Sequence, residues 1–349
     1  MTRKELKKLK AYTLDQPPHR VKLNQNESPY EIPAPLKQQI LGELEKLRWN
    51  RYPSPYADRL RQVIGEKEDW DPEGVVVSGG SNILVQLLVL ATAIRGKLLT
   101  VHPTFSLYEF EGALLKNRVI RVPLDRETFA FQREIFLKAL RNGKPDITFL
   151  ANPNSPTGNL IPEPDLLEVL KKSPGLAPRG LTVIDEAYFP FSGETIRPHL
   201  EKFPNLVILR TLSKAFSLGG IRLGYLLADR EIATTIRKVM LPFTVSQLQE
   251  TIGCTVLQND GYLREVVQKI VDERERLLAA LQKIPSVRAY PSATNFILFR
   301  VEDAARTYLR LVEQGILIRP MGGHGLKDCL RVSVGTPEEN RAFLEALKA

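Results

Sequence analysis

Cysteine is scarce in this chain of 349 residues: Cys254 and Cys329 are its only two. They stand far apart and match no metal-ligand or disulfide spacing, so a disulfide-stapled fold and a cysteine-metal centre are excluded. Buried thiols in a reducing compartment are the expectation, and no metal is expected. Long apolar runs are missing too. The longest, Ile83–Ile94, has Gln86 inside it and is too short to cross a bilayer. The start, with Lys4, Lys7, Lys8 and Lys10, is basic but has no apolar segment behind it, so no secretory signal is read and a cytoplasmic location is expected. Repeats and low-complexity stretches are absent. The net charge of +9 is spread along the chain and no nucleic-acid motif accompanies it; a positive balance of this kind favours anionic small ligands.

What is present is a regular alternation of strand and helix patterns. Val75–Ser78, Leu98–Val101, Asp146–Leu150, Leu181–Asp185 and Leu206–Leu209 read as short buried strands, with helical segments at Ser81–Ile94 and Glu163–Lys172. That alternation predicts an α/β fold, a mostly parallel sheet between helices, with ligands at the carboxyl ends of the strands. Residues 228 to about 282 are helical in pattern. Strand patterns at Thr294–Arg300, Ile316–Ile318 and Cys329–Val334, and a helix from Pro337 capped by Thr336, predict a smaller α+β unit. The expected division is an N-terminal arm with part of the small domain over 1–35, a large domain over 36–240 and a small domain over 241–349.

Two strand ends carry chemistry. Behind the strand Leu206–Leu209 comes Lys214, with Thr211, Ser213 and Ser217 around it and Arg222 eight residues on. A lysine that must attack a carbonyl beside hydroxyl and guanidinium donors for a phosphate suits pyridoxal phosphate. A lone lysine after serine is as readily a solvated loop residue. The strand Leu181–Asp185 ends on an acid, and a buried carboxylate is costly unless a cation meets it. The pyridinium nitrogen of that cofactor is such a cation. Tyr188 reaches the same region or packs at its rim.

With these go Lys22–Pro29, Arg51-Tyr52-Pro53, Gly79–Asn82, His102–Tyr108, Asn152–Gly158, Asp185–Tyr188, the lysine run and Cys329–Gly335, in that order and nearly end to end. The sequence resembles the histidinol-phosphate aminotransferase family of fold-type I, pyridoxal-phosphate-dependent enzymes. The resemblance implies a homodimer and an amino transfer between histidinol phosphate with 2-oxoglutarate and imidazole-acetol phosphate with glutamate. An aromatic or broad-specificity aminotransferase, or a phosphothreonine-type decarboxylase, on the same scaffold is the alternative.

It implies Lys214 as the covalent and proton-moving residue, with Asp185 at the ring nitrogen and Tyr188 near the cofactor oxygen. Ser81, Asn82, Ser213 and Arg222 are implied at the phosphate, and Tyr52 at the phosphate of the other subunit. Phe105 is implied on the ring face, with Tyr108 its rival. The family places asparagine directly before Pro-Thr-Gly; here Ser155 stands there and Asn154 one residue earlier, so either is a candidate for the ring oxygen. Substrate is expected at Tyr12, Asn24, Tyr52, Arg319 and Arg331, where forked guanidinium bonds suit an anionic end.

Overall fold

Continuous apolar runs, buried on both sides, build the main sheet of the computed structural model, which describes residues 13–173, 180–322 and 325–349. The chain enters through β1 (Val21–Lys22) and then passes α1 (Ala34–Glu45) and α2 (Asp58–Glu68). β2 (Val75–Ser78), α3 (Ser81–Thr92), β3 (Lys97–His102), α4 (Ser106–Leu114), β4 (Arg118–Pro123) and α5 (Arg133–Gly143) follow. β5 (Ile147–Ala151), α6 (Glu163–Lys172), β6 (Leu181–Asp185), the short α7 (Phe189–Ser192), β7 (Leu206–Thr211) and β8 (Gly224–Ala228) complete the sheet. Its order is β2-β8-β7-β6-β5-β3-β4. All neighbours run parallel except at β8, which is antiparallel to both β2 and β7. The edge strand β4 carries exposed Arg118 and Arg121, a charged edge that discourages further pairing.

Because strand side chains alternate between faces, the sheet feeds two cores. Val76, Leu98, Phe149, Val183, Val207 and Leu226 pack with α3 and with α8 (Arg230–Val239). Val77, Leu99, Leu150, Ile184, Ile208 and Leu227 pack on the other side with α1, α2, α5, α6 and α9 (Gln247–Gln258). The alternation reaches the last residues of β6 and β7. Asp185 follows Val183 onto the α3 face, while its neighbour Glu186 turns to the opposite face and meets Arg210.

A long helix, α10 (Leu263–Gln282), leads to the second sheet: β9 (Arg288–Ala289), β10 (Phe296–Arg300), β12 (Arg319–Pro320) and β13 (Cys329–Ser333), in the order β12-β13-β10-β9. It is antiparallel throughout. α11 (Ala304–Glu313), β11 (Ile316–Leu317) and α12 (Pro337–Lys348) close this unit. Thr336 caps α12 in a reciprocal box with Glu339. β1 pairs parallel with β11, so the N-terminal segment belongs to the small sheet's side. Among the described residues no helix is long and apolar enough to cross a membrane.

Arg210 is one of the buried charges of the large unit. Its guanidinium donates to Glu186 at 2.8 and 3.0 Å, to Glu68 of α2 at 2.5 Å and to Thr195 at 2.8 Å, and it lies 3.9 Å over the Phe189 ring. Tyr225 donates to the other Glu68 oxygen at 2.6 Å. Breaking a buried pair from one side leaves uncompensated charge. Arg210→Met is therefore expected to cost about 3–5 kcal/mol of unfolding free energy. Chemical denaturation checks this; a loss under about 1 kcal/mol would show the pair to be incidental.

Candidate active site

A cleft of about 680 Å³ opens where the carboxyl ends of the large sheet face the small one. Ser81, Asn82, Phe105, Tyr108, Ser155, Asp185, Tyr188, Ser213, Lys214, Arg222, Asn24, Arg319 and Arg331 all line it, so most of the candidate residues meet in one place.

The turn between β2 and α3 forms a cradle. Gly80 has φ +103°, and a Cβ there would lie 2.5 Å from Nη2 of Arg222; a Cβ on Gly224 would lie 2.3 Å from the Ser81 amide. Only glycine at both places lets Arg222 and the start of β8 approach the open end of α3, which draws anions through its free N–H groups. Arg222 Nη1 donates to Ser213 Oγ at 3.1 Å, bringing the lysine loop to the same spot. Ser81, Asn82, Ser213 and Arg222 are thus grouped as a phosphate requires.

Asp185 is 6% exposed and receives two neutral donors: Tyr108 Oη at 2.6 Å on Oδ2 and the Ala187 amide at 3.1 Å on Oδ1. Burial pushes its carboxyl above the usual range, against the hydrogen bonds from Tyr108 and Ala187. Among the described residues no salt bridge reaches it. A cationic N–H from a ligand would supply the missing charge. Lys214 Nζ donates to the Gln25 carbonyl at 2.9 Å, and desolvation lowers its amine below the ordinary lysine range, with Arg331 and Arg222 adding to the fall. A base with a depressed pKa and a buried acid without a cation are what pyridoxal phosphate needs at its aldehyde and its ring nitrogen. The residues fit that group.

The segment Asn24–Glu27 is clamped between the two sheets. Asn26, in the left-handed region at φ 54°, donates through Nδ2 to Tyr188 Oη at 2.9 Å, and its Oδ1 and amide pair with Ser333 Oγ. Asn295 Nδ2 donates to the Asn26 carbonyl at 3.0 Å. Arg331 Nη2 reaches the Asn24 carbonyl at 3.2 Å and Nη1 lies 3.5 Å from Ser155 Oγ. The register of β12 and β13 sets Arg319 directly across from Arg331. Like charges opposite each other repel, and an anion bound between them would relieve that repulsion. Asn24 Oδ1, buried in the same corner, has no hydrogen-bond partner among the described residues.

Some expectations land elsewhere. Tyr52 is 83% exposed, packs against Phe243 with ring centroids 5.1 Å apart and stays outside the cleft of its own chain. Tyr12 lies outside the described residues. Phe105 lines the cleft; its rival Tyr108 borders it too but is fully buried and donates its hydroxyl to Asp185. Asn154 is committed to holding two loops together: Nδ2 donates to the Pro103 carbonyl at 3.1 Å and to Thr157 Oγ1 at 2.7 Å, and Oδ1 accepts from Thr104 Oγ1 at 2.7 Å. Ser155 is the one of the two that faces the cleft. Sequence reasoning missed Asn26, Tyr108 as a donor, and Glu186 with Arg210. The run Asp185-Glu186 held the one available hint, since adjacent strand residues must face opposite ways.

The sequence pattern of the family described as Aminotransferase class I and II matches residues 18–347. The histidinol-phosphate aminotransferase of Caldanaerobacter subterraneus subsp. tengcongensis is 36% identical over all of this chain and 98% of that protein. That of Deinococcus radiodurans is 39% identical over 94% of this chain and 90% of its own. The crystal structure of the histidinol-phosphate aminotransferase from Clostridium acetobutylicum superposes with a TM-score of 0.84 at 26% identity, over 94% of this chain and 98% of that one. That from Sinorhizobium meliloti, in complex with pyridoxal-5'-phosphate, gives 0.87 at 24% identity over 99% and 97% and shares the fold.

The two adjacent polar residues separate by experiment. Asn154→Ala strands three partners and is expected to cost about 2–3 kcal/mol of stability, whereas Ser155→Ala costs under about 1 kcal/mol and acts on ligand binding instead. Denaturant unfolding of the cofactor-free variants checks the order, and the reverse order would contradict it.

Proposed function

The chain belongs to the class I and II aminotransferase family, and from that premise we propose that it is a histidinol-phosphate aminotransferase of histidine biosynthesis. It moves an amino group between histidinol phosphate with 2-oxoglutarate and imidazole-acetol phosphate with glutamate, using pyridoxal phosphate. The observation that carries the substrate reading is the Arg319–Arg331 pair at the mouth of the Lys214 cleft.

Pyridoxal phosphate, when bound, supplies the aldehyde that takes the amino group and the electron-withdrawing ring that makes the substrate Cα proton removable. The protein does the rest. Ser81, Asn82, Ser213 and Arg222 grip the phosphate; Phe105 covers the ring face; Asp185 holds the ring nitrogen as a cation; Ser155 and Tyr188 serve the ring oxygen. Lys214, biased toward the neutral amine by desolvation, takes the Cα proton and returns it on the other side of the exchange. Arg331 and Arg319 orient the substrate by its anionic end, phosphate in one half-reaction and carboxylate in the other. Asn24 offers its unpaired Oδ1 to a substrate donor in the same corner. Tyr12 precedes this corner in sequence and keeps the substrate role its motif implies.

The enzyme is cytoplasmic and works as a homodimer. Tyr52 and Phe243 pack together at the surface, and the nearby-in-sequence Trp49 and Leu241 are exposed as well, large apolar side chains of the kind a partner covers. That surface borders the cradle: the Thr244 carbonyl lies 4.0 Å from where a Gly79 Cβ would stand. A partner docked there would carry its own Tyr52 toward this chain's phosphate grip. The small unit over 241–349, with the arm over 1–35, closes on the large one over 36–240, although α9 packs on α1 and α2 of the large unit.

Steady-state kinetics tests the substrate. kcat/KM for histidinol phosphate should exceed that for phenylalanine. Arg331→Ala should lower it by a factor corresponding to about 2–5 kcal/mol, in both half-reactions, while Arg319→Ala hurts the phosphorylated substrate more than glutamate. A ratio below one would favour an aromatic aminotransferase, and release of carbon dioxide from phosphothreonine would favour a decarboxylase.

Hybrid dimers test the assembly. Tyr52→Ala and Lys214→Ala are each expected to be severely impaired, and mixing them under subunit exchange should restore up to about a quarter of wild-type activity through sites that draw both intact residues from different chains. A monomer by light scattering at working concentration would contradict the shared site.

A further inference from the structure

We propose that Tyr108 is a positioning residue for the reaction: its buried hydroxyl holds the Asp185 carboxylate so that the proton shared between Asp185 and a bound heterocycle stays on the heterocycle. The inference rests on the reading of Asp185 as the partner of the ring nitrogen.

The geometry is specific. Tyr108 is fully buried, and the bond to Asp185 Oδ2, at 2.6 Å, is its hydroxyl's hydrogen bond. Its ring is stacked on Phe149 at 4.7 Å and 10° and meets Phe105 edge-on at 5.5 Å and 86°, so it is held from two sides. Phe105 and Tyr108 stand three residues apart at the start of α4, which puts the ring contact and the carboxylate's donor on one helical turn. β6 delivers Asp185 to this face, and the Ala187 amide occupies the other oxygen. A carboxylate pinned at both oxygens cannot swing away from the cleft.

The electrostatics give the bond its sense. Where a carboxylate and a nitrogen heterocycle share a proton away from water, the proton rests on the more basic partner. Burial makes Asp185 more basic, and the neighbouring Glu186 charge adds to that; hydrogen bonds from Tyr108 and Ala187 oppose both. Tyr108 itself, raised well above the usual phenol range by burial and by Asp185, stays a donor throughout the working range. The titratable groups that act on Asp185 are therefore Glu186, which is charged, and the neutral Tyr108, which Tyr188 influences in turn. Of these only Tyr108 donates to it. Without that hydroxyl the proton moves toward Asp185 and the ring loses its positive charge.

The test is the holoenzyme loaded with pyridoxal phosphate labelled with nitrogen-15 in its ring. In Tyr108→Phe the ring resonance should move from the pyridinium position toward unprotonated pyridine, and kcat should fall about ten- to a hundred-fold with KM nearly unchanged, as loss of one hydrogen bond to a charged group implies. Asp185→Asn should lower kcat at least as far, and adding Tyr108→Phe to it should change kcat less than about threefold, because the two act as one unit. An unchanged nitrogen resonance, or a Tyr108→Phe loss that persists in full on the Asp185→Asn background, overturns the proposal while leaving Asp185's role standing. Full activity of Asp185→Asn overturns the reading beneath it. Should Tyr108→Phe fail to fold, 4-aminophenylalanine at position 108 keeps the shape with a weaker donor; an intermediate resonance supports the proposal and an unshifted one overturns it.

Discussion

A strand sends successive side chains to opposite faces, and at the end of β6 this separates two adjacent carboxylates. Glu186 turns to one face and is neutralised by Arg210; Asp185 turns to the other and, among the described residues, is met only by neutral donors. The first arrangement fixes the strand end by tying it to β7, α2 and Tyr225. The second leaves a buried anion at the floor of the cleft whose charge only a cationic ligand balances. The catalytic geometry depends on this division: were the two residues' partners exchanged, Asp185 would be paired by the protein and would have no use for a heterocycle.

The cleft is also where the two sheets are joined. Asn24–Glu27 runs between them, with Gln25 accepting from Lys214, Asn26 bonded to Tyr188 and Ser333, and the Asn24 carbonyl bonded to Arg331. Groups that act on the cofactor and groups that select the substrate therefore share one short backbone segment. Through those few bonds β13 of the small unit is connected to Tyr188 and Lys214.

Much of this was legible in the sequence where the chemistry dictates a residue type at a strand end. Lys214 with its hydroxyls, Asp185 closing an apolar strand, and the glycines before Ser81 each stood out because few residue types suit such places, and the fold brings Lys214, Asp185 and Ser81 to one cleft. The strands and helices of the large unit were legible for the same reason, their apolar runs being bounded by turn residues. The antiparallel entry of β8 was not, since its pattern, Gly224–Ala228, is that of any buried strand and its direction is set by which edge the chain returns to. Glu186 with Arg210 and Glu68, and Tyr108 with Asp185, are pairs separated by 24 to 142 residues, and only the fold brings them together. Asn154 is held by three hydrogen bonds, two of them to Thr104 and Pro103, 50 and 51 residues away, and these too only the fold reveals. Tyr52 was singled out by its motif, but a single chain leaves it on the surface.

The central claim is that the depressed amine of Lys214, poised over the Asp185 floor, is the group that takes the cofactor's aldehyde. Cofactor-free protein should be incubated with pyridoxal phosphate at equimolar concentration, reduced with borohydride and mapped by peptide mass spectrometry. One pyridoxyl group per chain, on the peptide containing Lys214, is the result the account predicts. Label spread over exposed lysines, with Lys214 unmodified, would contradict it.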